Sequence, residues 1–271
     1  MNRSGTKFFK SLCLGHRDIS QGFSLEDYAI TYSDRLLDYA SLASRHWGRS
    51  PEDKGPQRDR LLGMLSDCVL QFFSQGYEET PWLLLTTPRP WGIENLTTLF
   101  PDAKLLILVR DGRDCVASST KSFGAGKNFS MWSREWARGA QTVLDFSEKY
   151  ADRQHELWDF VCFEEVLADK KAAIVNTLLF LGLSYDGFDE SVLEDRVIRG
   201  SGWHGGVSTN APMTEGFNTV GRHSDWSLLK RWPFDRTAGD VYRRVQSKLA
   251  TSRITPSGSY PAVNRTPSVP R

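Results

Sequence analysis

The stretch LLILVRDGRDCVAS, residues 105–118, decides the fold and raises the question of function. Its first five residues are an uninterrupted run of Leu, Ile and Val, which is typical of a strand covered on both faces in a parallel α/β sheet. The run ends at Arg110, and small residues that can begin a helix follow. Because ligands of parallel sheets bind beyond the carboxyl ends of the strands, we expect an anion to bind beside Arg110.

Segments with strand and helix patterns alternate on both sides of this stretch. Strands are predicted in the Leu run of PWLLLTTPRP (81–90), at 105–109 and near 157–163. Residues 50–57 and 200–222 are rich in residues that interrupt regular structure, so loops are predicted there. The remaining patterns predict helices over 6–14, 24–47, 58–74, 112–121, 131–150, 168–183 and 235–250, and a short one within 91–103. This alternation predicts an α/β fold with a parallel central sheet flanked by helices.

The composition bounds the number of domains and the class of partner. With 271 residues, 39% hydrophobic and 25% charged, the chain can bury one large core, and we predict a single domain over 1–250. Residues 251–271, with Pro and Ser and few large apolar side chains, are predicted to form a disordered tail. The 34 Lys and Arg nearly balance the 33 Asp and Glu, so the net charge of +1 gives no support for nucleic acid as the main partner.

The spacing of the cysteines and the length of the apolar runs bear on three questions: whether the chain binds a metal, whether it crosses a membrane and in which compartment it lies. Cys13, Cys68, Cys115 and Cys162 are widely spaced, which argues against a zinc motif and favours buried, reduced thiols. Every apolar run falls short of the roughly 20 residues that a spanning helix needs. We therefore expect no membrane span and a cytoplasmic location.

A second anion signal lies at residues 3–7, RSGTK. The Gly-containing turn opens a predicted helix, and its backbone amides can surround a phosphate or sulfate. Ser4 and Thr6 add hydroxyl donors, and Arg3 and Lys7 add positive charge. The motif differs from the nucleotide-binding GxxxxGK[ST] loop. A solvated Ser-Gly turn would explain the pentapeptide alone about as well.

The charged residues after the strand also admit a structural interpretation. Arg110 could pair with Asp111 or Asp114 at the start of the helix. Arg113 and Asp114 are interpreted as a helix-capping pair rather than as ligands.

The two signals, in this order, resemble the sulfotransferases that use 3'-phosphoadenosine 5'-phosphosulfate (PAPS), with similarity from residue 3 to about 232. The segment 162–183 is similar to a further family motif, and VGRHSDW (220–226) resembles the loop that closes over the 3'-phosphate. The resemblance implies a P-loop NTPase-like sulfotransferase fold. It also implies that PAPS is bound by Arg3, Ser4, Gly5, Thr6 and Lys7 at the 5'-phosphosulfate, and by Arg110, Ser118, Gly221 and Arg222 at the 3'-phosphate.

The resemblance further implies a reaction and its catalytic residues. A sulfuryl group would pass from PAPS to a hydroxyl or amine of a small-molecule, carbohydrate or peptide acceptor, without a metal. Arg3 would steady the bridging oxygen, and Glu26 is the candidate general base, with His204 and His223 as rivals. An alternative for Glu26 is an acid in the first turn of the predicted helix 24–47.

The chain departs from the family pattern at two places. Thr86 stands where the family commonly has the Lys of a Lys-Thr-Pro sequence, and Arg89 is a candidate replacement. A buried strand normally enters the RSGT turn, whereas only two residues precede Arg3 here. We therefore expect the first strand of the sheet to be missing or truncated, and an upstream segment to complete it.

Two other functions remain open from the sequence. A P-loop nucleotide kinase would use residues 105–109 as a Walker-B-like strand and Asp111 as a magnesium ligand. A sulfotransferase-like module that binds nucleotide without turnover is the second alternative.

Overall fold

The computed structural model describes residues 3–22, 26–28, 30–47, 51–77, 79–122, 129–194, 202–204, 207–209, 220–224 and 226–252. The strands are β1 Ile19–Gln21, β2 Trp82–Leu84, β3 Leu105–Val109, β4 Trp158–Cys162, β5 Gly202–His204 and β6 Val207–Thr209. The helices are α1 Thr6–Cys13, α2 Asp34–Ser44, α3 Pro51–Ser74, α4 Leu96–Leu99, α5 Gly112–Ser122, α6 Phe129–Lys149, α7 Phe163–Ala168, α8 Lys170–Leu181, α9 Ser191–Glu194 and α10 Leu228–Ser252.

The parallel strands form two separate pairs. β1 pairs with β2 from Ile19 opposite Trp82, and β3 pairs with β4 from Leu105 opposite Trp158. The predicted parallel arrangement is therefore present, but the strands that the structure describes form two-stranded sheets rather than one continuous sheet. Because β1 has only three residues, the apolar pattern of the sequence did not indicate it.

Strand β3 is covered on both faces, as its uninterrupted apolar sequence predicts. Ile107 and Val109 belong to a core cluster that also contains Trp132 and Trp136 of α6 and residues of α10. Leu108 belongs to a second cluster built on α1 and α8. The two tryptophans are thus core residues.

One helix prediction and one loop prediction in the first third of the chain were wrong. The predicted helix 24–47 begins only at Asp34, because residues 26–28 instead run beside the end of β2, where the Asp27 amide donates to the Thr86 carbonyl at 3.2 Å. The predicted break at 50–57 is part of α3. Pro51 takes the first helical position, where a missing N–H removes no hydrogen bond.

The C-terminal third also differs from the sequence prediction. The predicted helix 168–183 corresponds to α8, which begins at Lys170 because Asp169 caps it by accepting a hydrogen bond from the Ala172 amide at 2.9 Å; the separate short helix α7 precedes it. Gly182 ends α8 in a left-handed conformation. The predicted loop 200–222 contains the short antiparallel pair β5 and β6, and α10 begins at Leu228 rather than near 235. Residues 253–271 of the predicted tail lie outside the described residues.

The structure bears on the predictions about cysteines, membrane spans and metal binding. All four cysteines are free, and Cys68 is exposed, which corrects the prediction that every thiol is buried. Within the described ranges, helices long and apolar enough to cross a membrane are absent. The same ranges contain no group of three or more His, Cys, Asp or Glu side chains arranged to hold a metal ion.

Candidate functional site

The turn between β3 and α5 begins with Arg110, directly after the fully buried Val109. Gly112 starts α5, and a Cβ there would lie 2.4 Å from the ring of Trp136, so only glycine allows this approach of the helix to the core. Asp111 caps the helix by accepting a hydrogen bond from the Arg113 amide at 2.8 Å. Strand, turn and helix together fix the position of Arg110.

The Arg110 guanidinium lies between the two predicted anion-binding turns. Its Nη1 donates to the Arg3 carbonyl at 3.0 Å, and its Cζ lies 4.8 Å from the centre of the Phe163 ring. Phe163 also packs against Gly5, where a Cβ would lie 2.2 Å from the ring. Arg110 and Phe163 therefore connect the β3–α5 turn to residues 3–7.

Residues 3–7 form a tight turn at the start of α1. Arg3 has a φ of 65° and Gly5 a φ of 98°, both in the left-handed region. Ser4 is buried, and its hydroxyl lies 3.4 Å from that of Thr6. The turn directs backbone amides of a helix N-terminus to one side, which is an arrangement that binds phosphate or sulfate.

Two arginines converge on Ser118, which is 2% exposed, and a third lies beside them. Arg3 Nε donates to the Ser118 hydroxyl at 3.1 Å, and Arg222 Nη1 donates to it at 3.3 Å. Arg110 joins them through the Arg3 carbonyl. The Arg3 guanidinium thus reaches from its own turn to the other one.

The electrostatics of this cluster favour an anion. Burial lowers the pKa of Arg222 to about 10, and the charges of Arg110 and Arg3 add to the effect. Burial and the charge of Arg110 also lower the pKa of Arg3. A bound phosphate would relieve both the mutual repulsion and part of the desolvation of the guanidinium groups. Both the charge and the hydrogen-bond donors of the cluster therefore suit an anion.

Neither predicted structural role for the acids after β3 matches the geometry. Asp111 pairs with Arg113 at 2.6 Å and also accepts from the Tyr242 hydroxyl at 3.0 Å. Asp114 does not cap with Arg113 but contacts the turn at 220–224, to which Arg222 belongs. Because its oxygens accept from an arginine and a tyrosine, Asp111 is poorly suited to hold magnesium, which disfavours the kinase.

Glu26 lies in the non-helical segment before α2, so its interpretation as a first-turn helix acid was wrong. It is exposed, and the Tyr28 hydroxyl donates to Oε2 at 3.5 Å. Burial and the charge of Arg110 dominate the lowered pKa of Arg3, and the negative charge of Glu26 opposes them with a smaller, raising contribution.

The neighbouring Asp27 holds the end of β2. It accepts a hydrogen bond from the Thr86 amide, and the Thr87 hydroxyl donates to it at 2.9 Å. Arg89, the candidate replacement for a lysine here, instead lies 3.9 Å from Glu135.

Of the two histidines that are alternative candidates for the general base, the structure describes the side chain of His223. His223 Nδ1 lies 2.9 Å from Asp114 Oδ1, a contact that orients the ring and does not use its Nε2, so His223 stays a candidate base beside Glu26. The side chain of His204 lies outside the described residues. Asp114 and Phe163, which sequence reasoning did not assign to the site, are the residues that join its parts.

Three comparisons with known proteins agree with this geometry. A model described as the Sulfotransferase family matches residues 1–187, a range that includes both predicted turns but ends before Arg222. Protein-tyrosine sulfotransferase 1 of Homo sapiens is 27% identical over 155 residues, covering 52% of this chain and 39% of that protein. The Mus musculus protein of the same name gives the same values. The chain thus spans about two fifths of the length of these curated relatives.

A solved structure is also similar. The Sulfotransferase Domain from the Synechococcus PCC 7002 Olefin Synthase matches with a TM-score of 0.52 and 17% identity, covering 92% of this chain and 91% of that domain. This likeness concerns the fold alone. It confirms the predicted fold class, and the family match confirms the resemblance on which the site residues were chosen.

Proposed function

Because this chain belongs to the sulfotransferase family, we propose that it transfers a sulfuryl group from PAPS to a hydroxyl or amine of an acceptor. The observation that supports the proposal most is the convergence of Arg3 and Arg222 on Ser118, with Arg110 beside them. PAPS carries one anionic group on the 3'-oxygen of its ribose and another on the 5'-oxygen. The chain offers one anion-binding turn for each.

The 3'-phosphate subsite consists of Arg110, Ser118 and Arg222 under this proposal. The Ser118 hydroxyl already accepts hydrogen bonds from two guanidinium groups, so it can donate its own proton to a phosphate oxygen. Arg110 supplies a charge-assisted donor from a turn that strand and helix hold rigid. Gly221 allows the backbone to turn beside Arg222, with a φ of 75°.

The 5'-phosphosulfate subsite is the turn formed by residues 3–7. The backbone amides at the start of α1 and the Lys7 ammonium would bind the non-bridging oxygens. Arg3 belongs to this turn by its backbone and reaches Ser118 by its side chain, so its guanidinium lies between the two subsites. We assign it to the bridging oxygen between phosphorus and sulfur.

The proposed reaction breaks one sulfur–oxygen bond and forms another. The acceptor oxygen or nitrogen attacks sulfur in line, and the bond from sulfur to the 5'-phosphate oxygen breaks, leaving 3'-phosphoadenosine 5'-phosphate (PAP). Arg3 and the turn amides stabilise the charge that develops on the leaving oxygen. The acceptor proton passes to a carboxylate, which we assign to Glu26 because it is exposed and its charge acts on Arg3.

Replacement of Glu26 by Gln tests the base. We expect turnover to fall at least about a hundredfold while PAP affinity stays within about twofold, since general bases contribute at this scale and the amide keeps the shape. Tyr28→Phe is the matched control, because it removes only the hydroxyl that contacts Glu26. Unchanged turnover in Glu26→Gln would remove Glu26 from the mechanism.

The acceptor class is open to peptides, carbohydrates and small molecules. The curated relatives are named for protein tyrosine, so tyrosine-containing peptides are the first acceptors to test. Incubation of acceptor pools with PAPS, followed by intact-mass measurement, should reveal a product heavier by one sulfuryl group. The absence of any such product beside tight PAP binding would favour the non-catalytic binding module. We also propose a cytoplasmic location, with which the four free cysteines are compatible.

A further inference from the structure

Asp114 is a fully buried carboxylate whose described hydrogen bonds all lead to one short turn. Its Oδ2 accepts from the Gly221 amide at 2.7 Å. Its Oδ1 accepts from the His223 amide at 3.2 Å and lies 2.9 Å from His223 Nδ1. A buried carboxylate is costly unless such donors satisfy it, so these contacts fix the carboxylate and the turn relative to each other.

The two residues that Asp114 holds are the neighbours of Arg222 on either side. The backbone of Arg222 is therefore fixed independently of its side chain. That side chain extends to Ser118. Asp114 and Ser118 lie four residues apart on α5, so they share one face of the helix. One face of α5 thus binds the backbone on both sides of Arg222 through Asp114, and it contacts the Arg222 guanidinium through Ser118.

The surroundings of Arg222 destabilise its charge. Burial lowers its pKa to about 10 and the charges of Arg110 and Arg3 add to the effect, so its charged form is held beside Ser118 at a cost. Arg113, the nearest cation on the same helix, is committed to Asp111 and Tyr242. Asp114 is consequently available to the 221–223 turn.

We propose that Asp114 is a positioning residue that sets the preference for a 3'-phosphorylated nucleotide, because it holds Arg222 at Ser118 before the nucleotide binds. This inference rests on the proposed function. It assigns to Asp114 no contact with the ligand. Preorganisation of this kind raises affinity by removing the cost of ordering the turn at the moment of binding.

The test is a double-mutant cycle measured by calorimetric titration of the full chain. The ligands are PAP and adenosine 5'-phosphate (AMP), which differ only in the 3'-phosphate. Asp114→Asn places an amide N–H₂ against one of the donors that Asp114 now satisfies. We expect it to weaken PAP binding about tenfold and AMP binding by less than about twofold.

The cycle separates positioning from a general structural effect. If Asp114 acts through Arg222, then Asp114→Asn should add nothing to the loss of PAP affinity already caused by Arg222→Ala. Full additivity, or equal weakening of PAP and AMP, would overturn the proposal. Wild-type protein that binds PAP no more tightly than AMP would instead contradict the proposed 3'-phosphate subsite itself.

A second variant covers the case in which Asp114→Asn does not fold. His223→Ala removes one contact to Asp114 and keeps the carboxylate and its bond to Gly221. His223 is 21% exposed in its side chain, so the fold should tolerate the change. We expect a selective loss of PAP affinity of about threefold to fivefold. Unchanged PAP affinity in this variant would contradict the proposal.

Discussion

The two anion-binding turns of this chain are held in place by different means. The β3–α5 turn follows a strand paired along its whole length with β4 and leads into an eleven-residue helix. The turn at residues 3–7 leads into α1, and its described supports come from outside: Arg110 binds the Arg3 carbonyl, and Phe163 packs on Gly5. The β3–α5 turn is thus held mainly by the strand and helix that it joins. Residues 3–7 are held to the rest of the molecule by side chains of other segments.

The difference predicts a direction of dependence. Changes at Phe163 should disturb residues 3–7, whereas changes within residues 3–7 should leave the β3–α5 turn intact. Four substitutions test this asymmetry, in order of decreasing effect.

Phe163→Ala should cause the largest loss. The ring is 2% exposed, packs edge-on against Phe8 at 6.1 Å and supports both Gly5 and Arg110. We expect the free energy of unfolding to fall by about 3 to 5 kcal/mol, measured by denaturant titration. The exposed Phe72 is the control, since its replacement by Ala should change stability by less than about 0.5 kcal/mol. A loss below about 1 kcal/mol at Phe163 would mean that this ring does not join the turns.

Gly5→Ala should come second. The new Cβ would meet both a left-handed backbone with a φ of 98° and the Phe163 ring at 2.2 Å. We expect a loss of about 2 to 4 kcal/mol together with weaker PAP binding. Gly182 has a φ of 74° with open space around it, so Gly182→Ala should cost only about 1 kcal/mol and leave PAP affinity unchanged. Equal losses at both glycines would argue against the contact with Phe163.

Arg110→Ala should act on one phosphate only. Loss of a charge-assisted contact is worth about 1.5 to 3 kcal/mol, so PAP affinity should fall by that amount while AMP affinity changes little. Lys7→Ala is the matched comparison, because it should weaken PAP and AMP alike through their common 5'-phosphate. If Arg110→Ala weakened both nucleotides equally, Arg110 would be a structural support rather than a 3'-phosphate ligand.

Asp111→Asn should give the smallest effect, and one that depends on pH. Burial opposes ionisation of Asp111, but the hydrogen bonds and charge of Arg113 outweigh it, so the pKa lies below its ordinary value of 3.8. The ionised carboxylate therefore adds stability above that value, and this stability is lost as the pH falls through the folded-state pKa.

The measurement is the free energy of unfolding at pH values from neutral to strongly acidic. Wild type should exceed Asp111→Asn by about 1 kcal/mol at neutral pH, and the two should converge in acid. A difference that stayed constant with pH would show that the charge of Asp111 is not what stabilises the β3–α5 turn.

The structural features that depend on a local sequence pattern could be predicted from the sequence. The apolar run 105–109 predicted β3 because a strand buried on both faces needs no polar alternation. The predicted end of the helix 168–183 falls at Gly182, whose left-handed conformation few other residues adopt without cost. The stretch 105–118 and the RSGTK segment indicated the anion site only once they were considered together.

The remaining features depend on contacts between distant segments. Asp114 and Gly221 lie 107 residues apart, and no local pattern distinguishes an acid that caps its own helix from one that binds another turn. Arg113 could have paired with either neighbouring acid, and the position of Tyr242 on α10 favours Asp111. Residues 26–28 were assigned to a helix because their link to β2 is tertiary.

The central claim is that the β3–α5 turn, together with Arg222, binds a 3'-phosphate. Its most direct test is calorimetric titration of the unmodified chain with PAP, with AMP and with ATP plus magnesium. The account predicts that PAP binds without magnesium and at least about tenfold more tightly than AMP, because only PAP places a phosphate among the three arginines. Equal affinity for PAP and AMP, or tighter binding of ATP with magnesium, would contradict it.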